Sequence, residues 1–357
     1  MTISLCSTPI RRTAAVTAGL AALLGSIACT REPPRRQERF QAMRQPARVA
    51  IGEEEEQTPL ADVRALAASQ YNTVFQDLSL YAPDSNLARI NRYAMTTTMG
   101  LTTDGYRVFS LAERYHRQTQ GAFDVTTAPL MFLWGFLGGT PPDEPLDDTL
   151  LAATLAAVGR DFVRIDGASI RFLSPLTRVE VEGLARTYAL DLAFVRLRDR
   201  GTRHYLLELG RAARARGRQA PGTPWTVAVP HPRLGEYESI GRFRIDDQRG
   251  FAGVFALDET VTIGDREYSS IIDPRTGRPV EHTLAAWVSG PTVTEARALA
   301  QALVVLGPEE GLALLPNFPG CEAMIAPRMD PVGLFATPGF LEAFVPSEAM
   351  ADRVEIW

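Results

Sequence analysis

The residues with most chemical promise lie in a few dense strings. GAFDVTTAPLMFLWGF, from Gly121 to Phe136, sets Phe123, Phe132, Trp134 and Phe136 beside Asp124. Aromatic faces with one carboxylate, and Gly135, Gly138 and Gly139 allowing close approach, would suit a planar heterocycle; the same string would equally make an aromatic core segment. YSSIIDPRTGRPV, from Tyr268 to Val280, runs a strand into a Pro-Gly turn. The four histidines, His116, His204, His231 and His282, have no second histidine or cysteine at metal-ligand spacing. Neither G-x-S-x-G nor a G-x-G-x-x-G leading from strand to helix occurs. All 37 long basic residues are arginine, which removes Schiff-base chemistry and a P-loop, since both need an ε-amino group. A net charge of -5 gives no general attraction to nucleic acid.

The elements that must position these strings follow from periodicity. Leu60, Val63, Ala67, Val74 and Leu78 fit helical spacing between Pro59 and Leu80. A short helix follows the N-cap candidates Asp84-Ser85, and a third runs from Asp104 to Gln118. Phe162 to Asp166 and Ser169 to Leu173 form a hairpin about Gly167, and Leu184 to Arg200 is a helix ended by Gly201. Strands fit Tyr205 to Leu209, Trp225 to Val229, Phe243 to Ile245, Gly253 to Leu257, Val261 to Ile263, Glu267 to Ile272, Ala285 to Ser289 and Glu322 to Ile325. A helix from Thr294 to Leu306 stops at Gly307-Pro308, with a shorter one through Leu315. Helices first, then mainly antiparallel strands with interleaved helices, predict an α+β fold.

Residues 1–29 are expected to be a signal peptide: Arg11-Arg12 precede an apolar run from Thr13 to Ala28, too short to span a bilayer comfortably. Ser26-Ile27-Ala28-Cys29 resembles a bacterial lipoprotein cleavage site, with Ser26 where an aliphatic residue is usual; the alternative is a plain secretory cut near Ala28. The paired arginines also permit a twin-arginine route. Residues 30–42 are expected to be a tether. Once Cys6 is discarded and Cys29 is lipidated or terminal, Cys321 stands alone and no internal disulfide is available.

Taken in order, LSLYAPDSNLARINR (Leu78 to Arg92), GAFDVTTAPLMFLWGF, EVEGLARTYALD (Glu180 to Asp191), LLELGRAARARG (Leu206 to Gly217), SSIIDPRTGRPVEH (Ser269 to His282) and TEARALAQALVVLG (Thr294 to Gly307) resemble the FAD:protein FMN transferase, or ApbE, family. The resemblance implies an ApbE-like domain over 43–357, with a largely antiparallel sheet. It implies binding of FAD, magnesium on the pyrophosphate, and transfer of FMN to a threonine or serine hydroxyl of an acceptor protein. It further implies a lipid anchor on Cys29 at the periplasmic face of a bacterial membrane. Carried over by position, the flavin contacts are Met43, Tyr81, Ala122, Phe123 and Asp124, with Glu180 and Arg186 in the central motif.

The positions that the resemblance makes catalytic are altered. Ser270 stands where the family has a histidine, and serine is no base near neutral pH without a helper. Arg297 and Gln301 stand for the family's aspartate and threonine metal ligands, and Glu182 marks the backbone carbonyl that completes the site. Arg186 replaces a lysine, Thr187 a glycine, and Gly210-Arg211 a glycine pair; Arg211 is expected to crowd the nucleotide. A Glu182 to Arg297 ion pair closing the former metal pocket is one expectation, and a pyrophosphate bound bidentately by Arg297 is another. The two functions left open are a flavin transferase of impaired activity and a non-catalytic flavin-binding or scaffolding lipoprotein.

Overall fold

The computed structural model describes residues 36–357 apart from residue 145. The expected signal peptide with Cys29 therefore lies outside the described residues, as does the first part of the expected tether, residues 30–35. Nine strands form one sheet and follow one another across it in chain order: Gln37–Ala42, Gln45–Ile51, Tyr205–Leu209, Ala212–Arg216, Gly250–Phe255, Thr283–Gly290, Glu322–Pro327, Leu334–Ala336 and Val354–Ile356. All neighbours are antiparallel except the last pair.

Both faces of this sheet are covered, so its central strands carry apolar side chains on each side of the pleat. Ala286 and Val288 join the core under the helices, while Ala285 and Trp287 join the core on the opposite face. Ala323 and Ile325 against Met324 and Ala326 repeat the alternation one strand along. The helical face is built by α1 (Leu60–Leu78), α2 (Asn86–Tyr93), α3 (Thr103–Gln118) and two long helices described below. The other face is closed by a second sheet of Arg218–Ala220, Thr223–His231, Gly235–Ile245 and Phe344–Pro346, whose Trp225, Val227 and Phe243 pack on Leu206, Phe251 and Phe255.

Local signals behave as their chemistry requires. The Ser85 hydroxyl accepts from Ala88 N at 2.9 Å and starts α2, and Thr102 does the same for α3 from Gly105 N at 2.9 Å. Two short helices, α4 (Ala128–Leu133) and α5 (Asp148–Leu155), pack with the Thr260–Ser269 hairpin into a small separate core. Trp134 lies 5.2 Å from the Tyr268 ring and its indole N–H donates to Gly277 O at 2.9 Å. This decides between the two readings of the aromatic string: Trp134 and Phe136 are buried, and Phe132, 60% exposed, is the one open ring. The string is a core segment and no aromatic wall.

Two strands depart from the expected elements. Gln37–Ala42, expected as tether, is the sheet's edge strand, paired residue by residue with the next. Ala212–Arg216 is a strand that alanine and arginine conceal, because both depart from the usual strand composition. At Gly307 (φ 73°) the backbone leaves the helix, as Gly307-Pro308 led one to expect, and a short second helix follows to Leu312. No helix among the described residues is long and apolar enough to cross a membrane.

Candidate functional site

The two long helices are α6 (Glu182–Asp199) and α7 (Val293–Leu312), and they meet near their N-terminal ends. Asp191 is the joint. Its Oδ1 accepts from Arg214 Nη1 at 2.6 Å and Val293 N at 3.2 Å. Its Oδ2 accepts from Thr294 N at 3.0 Å and Thr294 Oγ1 at 2.6 Å. A carboxylate at the first turn of α7 is favoured by the unpaired N–H groups and the helix dipole. Arg214, itself buried, also donates to Gln248 O and Pro291 O, both at 3.1 Å. The register of α7 against α6 is thereby fixed, and with it the direction of Arg297 one turn further on.

The entry to α6 is equally tied down. Glu180 N donates to Val125 O at 2.7 Å, which lays the start of α6 beside the Ala122–Asp124 run. The Glu180 carboxylate accepts from Glu182 N. Glu182 is buried; its Oε1 accepts from Ser79 Oγ at 3.0 Å, and its Oε2 lies 3.4 Å from Arg186 Nη1. Burial first, and the neighbouring Glu180 second, push the Glu182 carboxyl above its usual range against the pull of Arg186.

Arg297 reaches from α7 onto the first turn of α6. A Cβ added to Gly183 would come 3.0 Å from its Nη2, so the guanidinium rests on bare backbone. Its Nη1 donates to Gln301 Oε1 at 2.9 Å. It forms no ion pair with any described residue: Asp258, on the far side, is taken by Arg211 at 2.7 and 2.6 Å, and Glu182 by Arg186. Some of the side chain reaches solvent, yet the charged end is enclosed. Burial, then the adjacent Arg186, pull its pKa down to about 10, so it remains a cation at neutral pH. The expected Glu182 to Arg297 ion pair is absent. Glu182 turns instead to Ser79 and its own helix, while the guanidinium covers Gly183.

The ring end of the expected site is more open. Met43 is buried in the tight turn between the first two strands, with φ 48°. Arg44, at φ 61°, lays its guanidinium 3.4 Å from the ring centroid of Tyr81, a residue that is 44% exposed. Phe123 and Asp124 point into the core and leave only backbone for a ligand. Phe123 packs edge-on against Tyr115. Asp124 accepts from Thr126 N at 2.7 Å and Thr126 Oγ1 at 2.6 Å, and lies 3.1 Å from His116 Nδ1. That last contact is out of line for a good hydrogen bond, though the carboxylate still pulls the His116 pKa upward. Ser270 N donates to Glu259 O at 2.9 Å, and the Ser270 hydroxyl has no hydrogen-bond partner among the described residues. Arg211, expected to crowd the nucleotide, is held by Asp258 with its guanidinium 4.1 Å from the centroid of the Phe255 ring.

No group of three or more His, Cys, Asp or Glu able to hold a metal ion occurs among the described residues. At the expected position α7 offers a guanidinium, which has donors only, and an amide engaged by it. These residues do not fit magnesium.

The ApbE family model matches residues 43–325. The chain belongs to the ApbE family. It is 30% identical over 247 residues to the FAD:protein FMN transferase of Vibrio cholerae, covering 68% of this chain and 72% of that protein. It is 28% identical over 298 residues to the Escherichia coli protein of the same name, covering 81% and 83%. Among solved structures it resembles the flavin transferase ApbE from Vibrio cholerae with a TM-score of 0.73 and 25% identity, over 86% of this chain and 99% of that one. The apo flavinyl transferase ApbE of Pseudomonas stutzeri gives 0.75 and 26%, over 86% and 96%.

In this ApbE-family chain, Met43, Tyr81, the Ala122–Asp124 backbone, Glu180, Glu182, Arg186, Arg297 and Gln301 gather about the α6–α7 junction. Arg44, Ser79 and Asp258 belong there too and escaped the sequence reading. Arg44 follows Met43 with no glycine to mark the left-handed turn. Arg214 sits in an alanine-rich strand at a position where an inward charge is unexpected.

Proposed function

We propose that this protein binds FAD at the α6–α7 junction and transfers FMN to an acceptor protein poorly or not at all. The observation that supports this is the Arg297 guanidinium resting on Gly183, where the family resemblance calls for a metal bridging α6 and α7. A fixed cation supplies charge to a bound diphosphate. It does not reproduce a metal's Lewis acidity toward the transferring phosphoryl group and its leaving group. Ser270, without a hydrogen-bonded base, leaves the acceptor hydroxyl unactivated. The exposed Tyr81 ring and the cations Arg186 and Arg297 suit the isoalloxazine ring and the central diphosphate of a flavin dinucleotide. The chain is exported by its N-terminal signal and held at the periplasmic face of a membrane by a lipid on Cys29.

A second reading rests on Arg44. Its guanidinium covers one face of Tyr81, so a flavin must use the other face or displace it; if neither happens, the protein is a scaffold. The test is incubation of the purified protein with FAD, magnesium and an acceptor domain taken from a target of an ApbE relative. Retained FAD without covalent flavin on the acceptor supports the first reading. Failure to retain FAD selects the scaffold, and ready labelling of the acceptor refutes both.

A further inference from the structure

We infer that Arg297, with Arg186 beside it, is a guanidinium site for a diphosphate group, so that this chain takes FAD without any divalent cation. The inference rests on the flavin-binding reading and adds how the phosphates are held.

Three features point the same way. First, two arginines from different helices lie close enough to oppose each other's charge, and Arg297 forms no ion pair among the described residues, Glu180 and Asp258 acting on it only at longer range. Like charges held together in a partly dry pocket are costly unless an anion offsets them. Second, the nearby acids are committed. Asp258 is bound on both oxygens by Arg211, Glu182 by Ser79 and Arg186, and Glu180 accepts from the α6 backbone. Third, the guanidinium is pre-set: α7 is locked by Asp191, Gln301 holds one Nη, and bare Gly183 leaves the other at the helix start. A planar fork held in one orientation binds phosphate oxygens at low entropic cost. The backbone N–H groups at the start of α6 add donors of the same sense.

The experiment titrates the purified full-length protein with FAD, with FMN and with inorganic pyrophosphate, each in EDTA and in excess magnesium. Flavin fluorescence and calorimetry give the affinities. FAD is expected to bind equally in both media, and pyrophosphate to compete with it. Arg297→Gln should weaken FAD by about tenfold or more, since charge-assisted hydrogen bonds are lost, with FMN weakened less. Arg297→Asp, which restores an acid at that position, should make FAD binding depend on magnesium. Circular dichroism and melting separate these effects from misfolding, and Arg297→Lys, which keeps the charge without the fork, should fall between wild type and Gln. FAD binding that requires magnesium in the wild type, or Arg297→Gln binding FAD as the wild type does, overturns the inference while leaving the flavin-binding reading intact. FAD failing to bind in either medium overturns both.

Discussion

Asp191→Ala is the substitution with the largest structural consequence for the site. The carboxylate accepts four hydrogen bonds, from Arg214, Val293 N and both Thr294 donors. With the acid gone, the Arg214 guanidinium stays buried against Phe194, at 4.1 Å, with its charge unpaired. Removing one partner of a buried ion pair costs roughly 3–5 kcal/mol, which for a protein of this size lowers Tm by about 2 °C per kcal/mol, or about 6–10 °C. Asp191→Asn keeps an oxygen for Thr294 N and should lose distinctly less. Because α7 is released from α6, Arg297 loses its fixed direction, so FAD affinity should fall although Asp191 touches no ligand. Urea unfolding and FAD titration at one temperature measure both effects. A loss below about 1 kcal/mol, the size of an exposed pair, would refute the view of Asp191 as the joint between the helices.

Three further outcomes follow. Gly183→Ala puts a Cβ 3.0 Å from Arg297 Nη2, so the guanidinium must shift; FAD affinity should drop while stability is unchanged or gains up to about 1 kcal/mol of helix propensity, and unaltered FAD binding in titration would contradict it. The Asp124 carboxylate raises the pKa of His116 above its usual value against the opposing effect of burial. The pair's stabilisation is therefore full below the unfolded histidine's pKa of about 6.5 and is lost as pH rises through the folded one; His116→Gln should remove that slope from unfolding curves, and an identical slope would count against it. Glu182, whose carboxyl is raised by burial and Glu180, holds its proton more tightly folded than unfolded, so it costs stability as pH rises through its folded pKa. Glu182→Gln keeps the Ser79 contact and should melt at or above the wild-type temperature at neutral pH, whereas a large loss would show that the Arg186 pair dominates.

Periodicity and caps made much of this fold legible. Ser85 as a cap, the hairpin about Gly167 and α6 from its apolar spacing needed only local physics, and each lies within a few residues of the expected place. The strand Ala212–Arg216 and the edge strand Gln37–Ala42 were hidden because tertiary pairing, and not their own composition, makes them strands. At the site, the family resemblance implied that Ser270, Arg297 and Gln301 stand where other residue types are expected. They could not indicate where Arg297 points. Opposite charges at Glu182 and Arg297 suggested a pair, but Arg186, one turn along the same helix as Glu182, is the nearer cation, and Gly183 gives the Arg297 guanidinium a place to rest. Asp124 likewise looked like a ligand contact in the sequence and is spent on Thr126 and His116.

The central claim, a flavin site whose transfer chemistry is disabled, is tested most directly by the rate at which covalent flavin accumulates on an acceptor domain. This protein and an active ApbE relative would be assayed side by side in FAD and magnesium. Loss of a general base alone lowers rates by about 10²–10⁴, so acceptor labelling should be slower by at least about 10² while FAD remains bound to the protein. Labelling at the relative's rate would contradict the account.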